Sequence, residues 1–178
     1  LKEYIGLVGV AIVLTAALIW GFSVSTSGSS GNGPFEPVPL EDLGPAPTFN
    51  LPNLQGREVN SADLKGDLVL VDFWGSWCKS CCDEMPALET VYQKYKDRGF
   101  RLVAIAVEFD RSPEKRLAKA QRKAKELGMT FTVLMGNDRV VRDFGGKPEN
   151  FPQTYLIDRK GNVRKAVVGA HEETYWDR

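Results

Sequence analysis

The chain has 178 residues, of which 43% are hydrophobic, 10% aromatic and 26% charged. That balance suits one folded domain with a smaller appendage and excludes a fibrous or wholly disordered chain. Its 23 basic and 23 acidic residues cancel, so no polybasic surface marks it for nucleic acid. The three cysteines, Cys78, Cys81 and Cys82, are too few and too clustered to staple a scaffold, and they point to a local site.

Residues 4–22, YIGLVGVAIVLTAALIWGF, carry no charge. A helix of that length spans roughly the 30 Å hydrocarbon core of a bilayer. Tyr4 and Trp20 sit near its ends, where amphipathic rings favour the interface. No small-x-small cleavage site and no lipidation cysteine follows, so the expectation is a retained signal anchor. Residues 23–47, rich in Ser, Gly and Pro, read as a flexible linker whose ordering burial would not offset. Residues 48–178 then form one α/β domain working beside a membrane.

Within that domain, the opening residues read as short extended pieces around a turn at 53–56, with Ser61 capping a brief helical turn. The apolar run DLVLVDF, 67–73, predicts a central strand. A helix follows over about 78–97, with Leu88, Val91 and Tyr95 at helical spacing and Pro86 expected to kink it. RLVAIAVEF, 101–109, predicts a second buried strand. Ser112-Pro113-Glu114 is a cap, a first-turn proline and a first-turn acid. They open a helix to Leu127 that Gly128 stops, with Leu117, Ala120, Ala124 and Leu127 on its apolar face. A strand at 131–135, a short helix at 139–144 and two strands at 153–158 and 163–168 complete the pattern. The turn residues Arg159-Lys160-Gly161-Asn162 make that last pair a hairpin.

Cys78-Lys79-Ser80-Cys81 brings two thiols to a helix N-terminus straight after a buried strand. Unpaired N–H groups and the helix dipole favour a thiolate there, and Lys79 adds a positive charge. Cys78, nearer solvent and the helix end, is the expected attacking thiol; Cys81, one turn in, resolves the mixed disulfide. A CxxC in isolation serves redox chemistry or half a zinc site equally well. Here no second CxxC exists and His171 is the only histidine, so the strand-to-helix context favours redox.

VDFWGSWCKSC, from Val71 to Cys81, resembles the active-site stretch of thioredoxins, and residues 45–170 resemble the membrane-anchored TlpA/ResA-like thiol-disulfide oxidoreductases. The motifs are WCxxC, then Glu84-Met85-Pro86, then Phe151-Pro152-Gln153-Thr154 ahead of a strand. The resemblance implies a thioredoxin-like fold, a central mixed sheet flanked by helices, with an extra N-terminal β piece and an insert at 110–135. It implies that Trp77 covers the thiol pair and that Pro152 is a cis-proline facing the sulfurs. Phe151 and Pro152 would then meet the incoming peptide. It further implies that Asp72 is a buried acid serving the Cys81 thiol, a departure toward the thioredoxin pattern, and that Glu84 is the acid of the anchored branch.

Cys82 is unusual for such relatives. CxxxC through Cys78 and Cys82 with His171 resembles the copper-chaperone branch, although that branch lacks WCxxC. Gly75-Ser76-Trp77-Cys78 is unlike the Pro-x-x-x-Thr-x-x-Cys of a peroxidase. The expected activity is thiol–disulfide exchange without a cofactor or a metal, on the extracytoplasmic side of a membrane. The resemblance names apocytochrome c as leading substrate and a thiol-transferring membrane protein as electron donor. A general disulfide oxidant and a copper metallochaperone are the alternatives. The tail from His171 is shorter than the terminal helix of relatives, so the sheet's flank is expected to be incomplete or covered differently.

Overall fold

The computed structural model describes residues 40–177. The predicted anchor at 4–22 and most of the predicted linker lie outside them. Among the described residues, no helix is long and apolar enough to cross a membrane.

The domain begins with a small antiparallel pair, β1 (Asn50–Pro52) and β2 (Glu58–Asn60). Its turn is tied by Asn53, whose side-chain oxygen accepts the Gln55 and Arg57 N–H groups at 3.0 and 2.9 Å. Five strands form the main sheet: β3 (Leu68–Trp74), β4 (Phe100–Ala106), β5 (Thr132–Met135), β6 (Gln153–Ile157) and β7 (Val163–Val168). Their spatial order is β5-β4-β3-β6-β7, with β3, β4 and β5 parallel and β6 and β7 antiparallel to their neighbours. The expected central mixed sheet flanked by helices, a thioredoxin fold, is therefore present.

Strand β3 lies at the centre of the sheet, and from Val69 to Trp74 every residue is buried. Such a strand reads as an unbroken apolar run because both faces are covered, which makes Asp72 within it exceptional. Successive side chains alternate between faces. Phe73 meets Phe144 and Tyr155 at ring separations of 5.3 and 5.9 Å, while Asp72 points to the opposite face.

Helix α1 (Lys79–Tyr95) buries Cys81, Glu84, Met85, Leu88 and Val91, one stripe at helical spacing. Pro86 falls inside this helix without dividing it. Gly99, at φ 75°, reverses the chain into β4. Helix α2 (Pro113–Glu126) starts on the Ser112 hydroxyl, which accepts the Lys115 N–H at 3.2 Å. It buries Ala120 and Ala124 of the expected apolar face. A short helix α3 (Asp138–Asp143) is capped by Asn137.

Three readings differ from the sequence expectation. The brief helical turn at Ser61–Leu64 is capped by the Asn60 side chain, which accepts the Ala62 N–H, and not by Ser61. Strand β4 ends at Ala106 instead of running to 109, because residues 107–109 leave the ladder to grip the loop after β3. The last part of the predicted linker is joined to the domain. The Glu41 and Leu43 N–H groups donate to the Arg164 and Val163 carbonyls, and Val163 N–H donates back to Gly44. Beyond β7, a single turn of helix, α4 (Glu173–Trp176), packs on α1. Beside it the sheet flank holds a cleft of about 520 Å³ lined by Leu70, Tyr95, Thr154, Leu156, Val167 and Trp176, among others.

Candidate active site

The end of β3, the loop Gly75-Ser76-Trp77 and the start of α1 build the site. Cys78 is the N-cap of α1, and its sulfur accepts the Cys81 N–H at 3.2 Å. A thiolate there would take up one of the helix's unpaired donors and sit at the positive end of its dipole. The two cysteines are joined, with an S–S distance of 2.08 Å. Cys78 is 6% exposed and Cys81 0%, so the expected order of accessibility holds although both sulfurs are sheltered in the disulfide form. Lys79, expected to add charge beside the thiol, instead faces solvent and pairs with Asp83 at 2.6 Å.

Trp77 forms the outer wall. Its indole N–H donates to the Val107 carbonyl at 2.8 Å, and its ring stacks on Phe151 at 5.9 Å and packs at a tilt against Phe109 at 4.9 Å. A Cβ on Gly75 would collide with that indole and lie 2.8 Å from the Val107 carbonyl, so the close approach requires glycine. The Phe151–Pro152 peptide is cis, and Phe151 lies buried beneath Trp77.

Asp72 on β3 and Glu84 on α1 carry buried carboxyls. Asp72 is fully buried; one of its oxygens accepts the Thr154 hydroxyl at 2.9 Å from the residue directly opposite on β6. Its other oxygen has no hydrogen-bond partner among the described residues. Burial, reinforced by the nearby Glu84 carboxylate, raises its pKa to about 8 against the Thr154 hydrogen bond. Glu84 lies on α1, one turn after Cys81, and is 2% exposed. One of its oxygens accepts the His171 backbone N–H at 2.9 Å and the Trp176 indole N–H at 3.0 Å; the other is unpartnered among the described residues. Burial raises Glu84 to about 7 despite those two donors. The structure thus buries Cys81 and Glu84 on one stripe of α1, with Asp72 on β3 near the Glu84 carboxyl, and stacks Trp77 on Phe151, which precedes the cis-proline Pro152.

Cys82 is a free, half-buried thiol beside the Gly75 carbonyl at 4.0 Å, and burial pushes its pKa up. His171 uses its backbone on Glu84 and stacks its ring on Tyr175 at 4.0 Å. Among the described residues, no group of three His, Cys, Asp or Glu side chains is arranged to hold a metal ion.

Sequence reasoning missed Glu108. It is 7% exposed, and its two oxygens accept the Ser76 N–H and hydroxyl at 2.7 and 2.8 Å. The available signal was a carboxylate ending an apolar run, which reads equally well as a strand reaching solvent.

A sequence model of the AhpC/TSA family matches residues 44–166. The thiol-disulfide oxidoreductase ResA of Bacillus subtilis (strain 168) is 31% identical over 167 residues, covering 93% of this chain and 85% of that protein. ResA of Geobacillus thermodenitrificans (strain NG80-2) is 36% identical over 125 residues, 70% of this chain and 67% of that protein. Among solved structures, a thiol:disulfide interchange protein of the thioredoxin family from Chlorobium tepidum TLS is similar. It has a TM-score of 0.67 and 30% identity, covering 81% of this chain and 95% of that one. With its paired Cys78 and Cys81 at a helix N-terminus, the chain belongs to the AhpC/TSA family and is a thiol-disulfide oxidoreductase on the thioredoxin fold.

Proposed function

We propose that the chain is a membrane-tethered, extracytoplasmic reductant of disulfides in exported proteins, with apocytochrome c as the leading substrate. The observation that carries this reading is the Cys78–Cys81 disulfide at the start of a helix whose buried stripe holds Cys81 and Glu84, with Asp72 buried on the preceding strand. The uncharged run at 4–22 and the similarity to ResA support the tether and the compartment. Cys78, as thiolate, attacks one sulfur of the substrate disulfide; the other substrate sulfur leaves as a thiolate and takes a proton. Cys81 then attacks Cys78 in the mixed disulfide, releasing the second substrate thiol and closing the Cys78–Cys81 bond. Two electrons have passed to the substrate. Asp72 and Glu84 exchange the proton that Cys81 gives up as it becomes nucleophilic. Trp77, Phe151 and Pro152 form the wall against which an extended peptide lies.

Structural disulfides persist outside the cytoplasm, so such a reductant needs a dedicated electron supply. A membrane protein that passes electrons by thiol exchange fits that need, and it would reopen the Cys78–Cys81 disulfide by the same chemistry in reverse. Equilibrium redox titration of the chain tests the direction. The reading predicts a potential nearer that of thioredoxin, about −270 mV, than the roughly −120 mV of a strong oxidant. A value above about −160 mV would contradict it and favour the oxidant alternative.

A further inference from the structure

Three successive residues, Val107, Glu108 and Phe109, each hold a residue of the loop that precedes Cys78. The Val107 carbonyl accepts the Trp77 indole N–H at 2.8 Å. The Glu108 carboxylate accepts both the N–H and the hydroxyl of Ser76, at 2.7 and 2.8 Å. The Phe109 ring packs at a tilt against Trp77, with ring centres 4.9 Å apart. The backbone here has left the β4 ladder, yet it is fixed at both ends. Val107 N–H donates to the Trp74 carbonyl at 2.8 Å. From α2, Lys119 donates to the Phe109 carbonyl at 3.1 Å, and Arg116 to the Asp110 carbonyl at 3.2 Å.

We propose that Glu108 is a positioning residue for thiol exchange: with Val107 and Phe109 it clamps Ser76 and Trp77, and so fixes the geometry in which Cys78 meets a substrate sulfur. The proposal rests on the exchange reading for its consequence and on these contacts for its substance. A buried carboxylate accepting two short bonds from one residue is a rigid attachment, because both oxygens are used and loss of either leaves a sheltered donor unpaired. Ser76 stands two positions before Cys78, and the Cys78 N–H donates to the Gly75 carbonyl at 3.0 Å, closing the turn that delivers the sulfur to the helix end. Freedom at Ser76 therefore becomes freedom at Cys78. Displacement of a sulfur along the S–S axis is sensitive to such misplacement.

The test uses the full chain, reduced, with two readouts: the pH profile of Cys78 alkylation by iodoacetamide, and single-turnover reduction of insulin disulfides. Glu108→Ala should slow insulin reduction by about 10- to 100-fold and move the alkylation midpoint to higher pH, as the sulfur loses its fixed place at the helix end. Glu108→Gln should recover most of the rate, since its carbonyl accepts the Ser76 N–H and its amide donates to the hydroxyl. Ser76→Ala, which removes one of the two bonds, should give an intermediate loss alone and no further loss on top of Glu108→Ala. Unchanged profiles in Glu108→Ala, or losses that simply multiply, would overturn the clamp. Should Glu108→Ala not fold, Ser76→Ala decides: a rate and profile equal to the parent chain's would overturn it. A parent chain that alkylates normally but never reduces insulin would sink the exchange reading, and the alkylation profiles would still judge the clamp.

Discussion

Asp72 and Glu108 are both carboxyls shut into the same end of the domain, yet their surroundings are opposite. Glu108 has a donor on each oxygen, both from Ser76. Asp72 has one hydroxyl on one oxygen and nothing on the other among the described residues, and Glu84 repeats that half-satisfied pattern. Burial in a dry interior penalises the charged form more than these hydrogen bonds favour it, which is why Asp72 and Glu84 rise to about 8 and about 7. The distribution of donors, on both oxygens of Glu108 but on only one oxygen of Asp72 and of Glu84, thus separates a residue that holds structure from a pair suited to exchanging a proton near neutral pH.

The largest effect should come from removing the proton while keeping the shape. Asp72→Asn retains an oxygen for the Thr154 hydroxyl but has no proton to exchange, so single-turnover reduction at pH 7 should fall by about 100-fold, in the range of general acid–base catalysis. An unchanged rate would reduce Asp72 to a packing residue. Stability should respond next. The folded pKa of Asp72, about 8, lies above its free value of 3.8. The folded chain therefore keeps a proton that the unfolded chain has released, and stability must fall as pH rises across that interval. Denaturant melts should show a loss on the order of a few kcal/mol between pH 4 and 8, reduced in Asp72→Asn to the part that Glu84, raised from 4.5 to about 7, still contributes. A stability that rises across the same range would break the contrast. The smallest effect belongs to Cys82. Because the disulfide joins Cys78 to Cys81 and leaves Cys82 free, Cys82→Ser should keep turnover within a few-fold. Abolished turnover would restore the CxxxC reading.

Much of this was legible along the chain. The apolar runs at β3 and β4, the Ser112-Pro113 helix start and the hairpin of β6 and β7 all carry local signals, and CxxC between a strand and a helix announces itself. Long-range pairings do not. The three donors that define Glu108 and Asp72 come from Ser76 and Thr154, 32 and 82 positions away in sequence. The donors to Glu84 come from His171 and Trp176, 87 and 92 positions on. For the same reason β4 looked three residues longer than it is: the apolar Val107 and Phe109 on either side of Glu108 alternate like a strand end, and only their partners reveal a loop. Lys79 shows the converse, a charge placed correctly in sequence but drawn to Asp83 in space.

The most direct test of the contrast is a carbon-13 NMR titration of the aspartate and glutamate side-chain carboxyls in the folded oxidised chain. Asp72 should titrate with a midpoint near 8 and Glu84 near 7, the values set by their burial. Midpoints for both in the ordinary range of about 4 would contradict the account, since neither acid would then be poised to gain and lose a proton at the pH where the exchange runs.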